Sequence, residues 1–520
     1  MPLTFIGIFE KIVKRTGEKT FSLVSSLLLF EGLVLLLANL LSIGSVLSPL
    51  TATFAWLLAA VILLSPSPQV TRENGFLKSF WDHRRRMAKE FFASASGKCK
   101  ATLKELSLPE KILLAGCAVV VVALFIPATF NVPYNYDSMT YHLARIAHWM
   151  DNGSVNYYLT NIDRQLYSPV LAEYNLLFMR LLSGTDMVLN LQQYAAMIFS
   201  AYLIFGILRK LGTGRLFSLF GVFVYLTMPL TISQAITTQN DLCAGLFYLV
   251  FLYYLLLFME KDPAHRIASM PVLSICLGAS VGFAYLTKPS VCASMVFFMP
   301  WVLIVCIRRK DSVLDLLKWG GAAFGTLLVL LSETLIRTYI STGHLIADTT
   351  GGDIAVATKN IRYLIVNLMK NYCLLITQHF ITGLNGFMYR LAISVGRILQ
   401  VDFNNIAISF HGFDFITYLN TGLDMYSQDR TSSAFAAYLS LAGGFLLLIA
   451  LVAALIRVLV SGKVAGRDRK SVVSFGFVIS AWMGFGFIMT LLRWQPWGSR
   501  LMYPGLTVAT VASVHILGCF

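Results

Sequence analysis

The sequence predicts an all-α polytopic membrane protein with about twelve transmembrane helices, and three observations carry that prediction. Hydrophobic residues make up 57% of the 520 positions, charged residues only 13%, and the mean hydropathy is +0.70. Apolar stretches of about 20 residues, the length an internally hydrogen-bonded helix needs to cross the hydrocarbon layer, recur from end to end. The segments between them alternate between basic and electrically balanced.

The spans are expected near 21–43, 44–66, 111–130, 187–207, 216–236, 241–259, 268–286, 289–307, 316–337, 433–458, 471–491 and 501–518, with 361–380 readable either as a span or as an interfacial helix. The basic leader "EKIVKRTGEK" precedes an apolar run too long for a cleavable signal, so the N-terminus is expected inside. That orientation puts 28 of the 41 Lys and Arg residues on the cytoplasmic side, as the positive-inside rule requires. The acidic residues split evenly, so the whole net charge of +15 faces the cytoplasm. The basic runs "HRRRMAKE" and "KCKATLKE" adjoin spans, where positive charge sets orientation and meets anionic lipid, which argues against nucleic acid as the partner. The eight cysteines form no CxxC pair and lie mostly in apolar stretches, so neither a disulfide framework nor a zinc site is expected.

Three regions follow. Residues 1–110 form a helical hairpin and a long basic cytoplasmic loop, an appendage in this reading; 111–310 form a core with a first outer loop at 131–186; 311–520 form a C-terminal region around a second outer loop at 338–432. Long ordered loops are where binding and chemistry concentrate, so the chemistry is expected outside. Two stretches of the second loop, "ATKNIRYLIVNLMKNYCLLITQHF" and "GFMYRLAISVGRILQ", space basic residues along apolar sequence, the pattern of interfacial helices.

The first outer loop opens with "NVPYNYDSMTYHLARIAHW". If 137–150 is a regular helix, successive residues turn by about 100°, which puts Asp137, His148, Tyr141 and Arg145 within about 80° of one another. Met139, Leu143, Ile146, Ala147 and Met150 then fall opposite, against the membrane, and His142 lies between the two faces. Read blandly, this is an interfacial helix capped by an aspartate. Its company favours function: "TTQNDLCAG" puts Asp241 at the same membrane face, "AYLTKPS" puts Lys288 there, and "LLRWQPWGSRLMYP" adds Arg493 and Arg500. Trp494 and Trp497 read as interface anchors or as a platform for a sugar or lipid chain.

Carboxylates beside several cations suit transfer from a phosphate leaving group, since Arg matches phosphate with a planar fork and Lys with a compact charge. The chain lacks GxxxxGK[ST], HExxH, GxSxG, GxGxxG and a paired-aspartate DxD, so nucleotide-dependent mechanisms have no motif here. A donor that travels in the membrane, a polyprenyl-phosphate sugar, fits instead.

In their order and spacing, "YDSMTYHLARIAHW", "TQNDLCAGLFYL", "GFAYLTKPS" and "RWQPWGSRLMYP" resemble the GT-C superfamily of integral-membrane glycosyltransferases. The nearest likeness is to the bacterial branch related to protein O-mannosyltransferases and lipid A aminoarabinose transferases, over about 111–510. The resemblance implies an inverting transferase in the bacterial inner membrane, working on its extracytoplasmic face upon a glycan, lipid or protein acceptor. It implies Asp137 as the base that activates the acceptor, Asp241 as a metal- or substrate-binding or structural acid, and Lys288, with Arg493 and Arg500, as contacts of the donor phosphate. Arg145 and His142 are further candidates for the phosphate, and Tyr141 and Glu173 for substrate positioning. No cofactor is called for. Family members often carry a second acidic residue beside the first, whereas Tyr136 and Ser138 flank Asp137, so the metal requirement is left open. The rival classes are a transporter or flippase for lipid-linked glycans or small solutes, and a scaffold subunit with a degenerate site.

Overall fold

The computed structural model describes residues 1–65, 101–260, 266–345, 354–376, 382–411, 413–421 and 469–518, with isolated positions at 78, 81, 82, 84, 85, 89 and 262. The expected span at 433–458 and most of the basic loop after the hairpin lie outside the described residues. The described chain is helical, with two isolated backbone bridges, Ala355 to Leu492 and Ser409 to Trp494.

Helix α1 (Pro2–Thr16) starts on a proline and stops at Gly17 in the left-handed region, and α2 (Lys19–Ser42) follows, with the Glu18 side chain capping its first turn. Helix α3 (Pro49–Leu64) opens with a capping box between Ser48 and Thr51. Helix α4 is Leu108–Phe130; the first long loop holds a π-turn (Ser138–His142) running into α5 (Leu143–Asn152), then α6 (Leu171–Ser183). Next come α7 (Leu191–Lys210), α8 (Arg215–Thr227), α9 (Asp241–Phe258), α10 (Met270–Thr287), the irregular α11 (Ser290–Arg309) and α12 (Val313–Thr342). The second loop supplies α13 (Ile361–Ile376) and α14 (Thr382–Leu399), and α15 (Arg469–Leu491) and α16 (Gly498–Leu517) close the bundle.

Seven of the described helices, α2, α4, α7 and α9 to α12, are long and apolar enough to cross a membrane, so the chain is a multi-pass membrane protein. Three other expected spans meet shorter apolar helices, and α13 is not among the seven. The expected span at 216–236 is broken. Met228 is extended and Pro229 begins a separate short helix, Pro229–Gln234, because the residue before a proline is sterically pushed out of the helical region. The thirteen residues of α8 reach only about 20 Å. The chain released by this break carries Thr238 and Gln239 into the site described below.

Helix α9 lies at the centre, almost wholly enclosed by α7, α10 and α16, which suits a helix apolar on every side. Helices α10 and α12 touch backbone to backbone. A Cβ on Gly278 would sit 2.1 Å from the Ala323 carbonyl oxygen, so only glycine permits the contact.

The hairpin is bound to the first long loop through polar contacts as well as packing. The Leu47 amide donates to the Gly153 carbonyl, the Val155 amide to Ser42 Oγ, and Asn175 Nδ2 to Glu31 Oε2. Gly153 is left-handed, and a Cβ there would meet the Ser45 carbonyl oxygen at 2.5 Å. Three successive residues of α6 thus reach three neighbours: Glu173 to His142 of the π-turn, Tyr174 to Glu333 and Arg337 of α12, and Asn175 to α2.

Candidate active site

The site assembles where the first loop leaves α4. Asn135, rather than Asp137, caps the helical start, its Oδ1 accepting the Ser138 amide at 2.8 Å. Asp137 is thereby left for other partners. The π-turn that follows takes in one residue more than an α-turn, which rotates everything before it by about 100° relative to α5. Asp137 then falls between Arg145 and Trp149 on the helical wheel, and the inward face becomes Asp137, His142, Arg145, Ile146 and Trp149, all buried. The expected partition is corrected at three residues, the first of them Ile146, which turns from the membrane side to the buried face. His148 lies exposed, its ring stacked on Tyr158 at 4.2 Å, and His142, placed between faces by a regular helix, is only 1% exposed.

The Asp137 carboxylate accepts from the Arg500 guanidinium and, through the same oxygen, from Gln239 Nε2 at 3.3 Å; Arg164 Nη1 lies 4.0 Å from the other oxygen. Burial pushes the Asp137 carboxyl up, but the charges of Arg500, His142 and Arg164 and the Arg500 hydrogen bond outweigh it and hold the group below the usual aspartate value. Arg500 also faces the second carboxylate, with Nε 3.8 Å from Asp241 Oδ2. Asp241 Oδ1 pairs with Lys288 Nζ. Four residues from three separate turns and the first loop therefore alternate in sign, in the order Asp137, Arg500, Asp241, Lys288. Helix ends hold them there: Asp241 opens α9, Lys288 follows the last residue of α10, and Arg500 lies in the first turn of α16. Asn240 Nδ2 ties two of these ends together by donating to the Thr287 carbonyl at 2.9 Å.

Beside this chain lies a buried group built on Glu173. His142 Nδ1 and Glu173 Oε1 are 2.9 Å apart, and Arg145 Nη1 is 3.8 Å from the same oxygen. Burial pushes the Glu173 carboxyl up, and the His142 hydrogen bond with the His142 and Arg145 charges brings it below its ordinary value. His142 Nε2 is buried without a partner among the described residues. The Tyr141 ring lies 4.1 Å from the His142 ring, and burial, followed by the Asp137 carboxylate, raises its phenol well above the ordinary tyrosine value.

Arg145 is placed differently from the phosphate contact expected of it. Its guanidinium donates to the carbonyls of Leu166, Ser168 and Pro169 at 2.8 to 3.1 Å and lies over the Trp149 ring, so it braces the first loop from within. Arg493 sits at the end of α15, its amide bonded to the Ile354 carbonyl; its side chain has no ion pair among the described residues, and its Nε is buried without a partner. Trp494 is fully buried against Phe415, and Trp497 packs on Phe410 and Phe413, so Trp494 is neither an interface anchor nor an open platform.

Gln239, Thr238 and Arg164 were not anticipated. Thr238 Oγ1 donates to Ser138 Oγ at 2.7 Å, beside the Gln239 contact to Asp137. For Thr238 and Gln239 the available signal was their place in the same "TTQNDLCAG" turn as Asp241; Arg164 left none. Among the described residues, no group of three or more His, Cys, Asp or Glu side chains converges as a metal site would.

No family profile matches the chain, and neither does any curated protein. Among solved structures, the chain is similar to the crystal structure of ArnT from Cupriavidus metallidurans bound to undecaprenyl phosphate, with 14% identity, a TM-score of 0.39, and coverage of 78% of this chain and 77% of that one. A superposition of that quality is too loose to carry residues from one structure to the other.

Proposed function

We propose that the chain is an inverting glycosyltransferase that moves a sugar from a polyprenyl-phosphate donor to an acceptor on the extracytoplasmic face of the bacterial inner membrane. The observation that carries this reading is the alternating set Asp137, Arg500, Asp241, Lys288 at the ends of membrane helices, where a lipid-borne phosphate arrives. Asp137 takes the proton of the acceptor hydroxyl or amine as that group attacks the anomeric carbon. The new bond forms on the face opposite the phosphate, the bond from the anomeric carbon to the phosphate oxygen breaks, and its electron pair leaves with the lipid phosphate. Lys288, Arg500 and Arg493 stabilise that leaving charge. Tyr141, with Glu173 acting through His142, positions the substrates beside Asp137.

The motif resemblance to the GT-C superfamily points the same way. Against a transporter stands the use of the acidic residues deep in spans: Glu31 accepts from Asn175, and Glu333 pairs with Arg337 and Tyr174, so both brace the first loop rather than line a path. The test is to incubate purified protein with polyprenyl-phosphate sugars and crude envelope acceptors and to measure released lipid phosphate. Release with one donor is expected; no release with any donor favours the transporter.

A further inference from the structure

Resting on the glycosyltransferase reading, a regulation of the same site can be inferred from what occupies its cations. Arg500 already has two carboxylates, Asp137 and Asp241, and Lys288 has one. All four side chains are largely buried, at 3 to 13% exposure, so these charges are weakly screened and each pairing matters energetically. Counting Arg164, which lies 4.0 Å from Asp137, the group carries one net positive charge, the complement of a single phosphodiester. A phosphate therefore enters a place where two carboxylates already stand.

We propose that Asp137 is a resident stand-in for the donor phosphate, and that the arriving phosphodiester takes Arg500 from it and so turns Asp137 from an ion-pair partner into a base. Gln239 makes the exchange workable: its neutral amide keeps hold of the same Asp137 oxygen when the guanidinium turns away, so the carboxylate stays aimed while it loses a cation. Asp241 keeps its bond to Lys288 throughout. Without donor, a carboxylate held by Arg500 is a poor acceptor of protons, and water at the site is not activated. With donor, burial acts on Asp137 with less opposition. The groups facing it are then Arg164, His142 and Gln239, with Tyr141, Asp241 and Glu173 further off, so its proton affinity rises. The acceptor is activated only after the donor is seated.

The test uses full-length protein in detergent and the methyl diester of undecaprenyl phosphate, which mimics the donor, cannot transfer a sugar, and does not titrate near neutral pH. Asp137→Asn should bind this diester more tightly than the parent by at least about tenfold, because a close charged competitor for Arg500 is gone. In the parent, titration calorimetry in buffers of different ionisation enthalpy should record proton uptake on binding that grows as the pH is lowered from 6.5 to 4.5; this second measurement needs no variant to fold. Equal or weaker binding by the variant, or binding by the parent without proton uptake, overturns the exchange and leaves the transferase reading standing. A parent that does not bind the diester at all overturns the lipid-phosphate reading and this inference with it.

Discussion

Two lysines, the half-buried Lys288 beside the first long loop and the fully buried Lys370 in the second, solve the problem of a charge held away from water in opposite ways. Lys288 meets the carboxylate of Asp241 within an alternating chain of charges. Lys370, on α13, meets no carboxylate directly among the described residues: it donates to the carbonyls of Phe403 and Ile408 and to Ser409 Oγ, and it lies 5.2 to 5.4 Å from the ring centroids of Trp494 and Phe415. Burial drives its ammonium down to about 7, with Asp402 and Asp414 opposing. Its neighbours Asn367 and Asn371 donate to the carbonyls of Met489 and Leu492. The site beside the first loop therefore pairs charge with charge, whereas the second loop uses dipoles and rings to fix the backbone that presents Arg493. The basic residue expected to point α13 at the membrane interface instead points it into the protein.

That contrast can be broken most forcefully at Asp137. Asp137→Asn should lower transfer by about 10²–10⁴-fold, the usual worth of a general base, with the protein still folded; release of lipid phosphate at the parental rate would sink the assignment. The next largest effect should be on stability. Lys288→Met strands the buried Asp241 carboxylate with only the more distant Arg500, and breaking a buried pair costs about 3–5 kcal/mol, so a clear fall in the thermal midpoint in detergent is expected. The same substitution in the other loop should do less. Lys370→Met removes hydrogen bonds to two carbonyls and a hydroxyl but strands no charge, a loss of about 1–3 kcal/mol. A Lys370→Met variant as unstable as Lys288→Met would erase the distinction.

The smallest effect is in pH. The folded Lys370 value lies below the ordinary lysine value of about 10.4, so the unfolded chain binds more protons between about 7 and 10, and the stability contributed by this group rises with pH across that window. Comparing thermal midpoints at pH 7 and pH 9 should show a larger gain in the parent than in Lys370→Met; equal gains would count against it.

Much of this was legible in the sequence. Hydropathy located the helices, because a bilayer tolerates few alternatives, and the common side of Asp137, Asp241, Lys288 and Arg500 followed from counting spans; the structure brings those four together. Contacts that hang on a local departure from regular geometry were not legible. A π-turn leaves no periodic trace in five residues, so the burial of His142 and the exposure of His148 could not be read from a wheel drawn at constant pitch. Arg145 looks like any surface arginine until the loop that folds over it is known. The hairpin, an appendage by composition, carries polar contacts whose partners lie more than a hundred residues away.

Those contacts bear on the order in which the protein is made. The hairpin enters the membrane first, yet Glu31, Asn39 and Ser42 must wait for Asn175, Arg337 and Val155. Arg337 joins Asn39 to the Val155 carbonyl and to Tyr174, so the first loop cannot settle until the helix bearing residue 337 has left the ribosome. A nascent chain truncated before that helix would carry every residue of the Glu173 group and still lack the clasp that holds it in place.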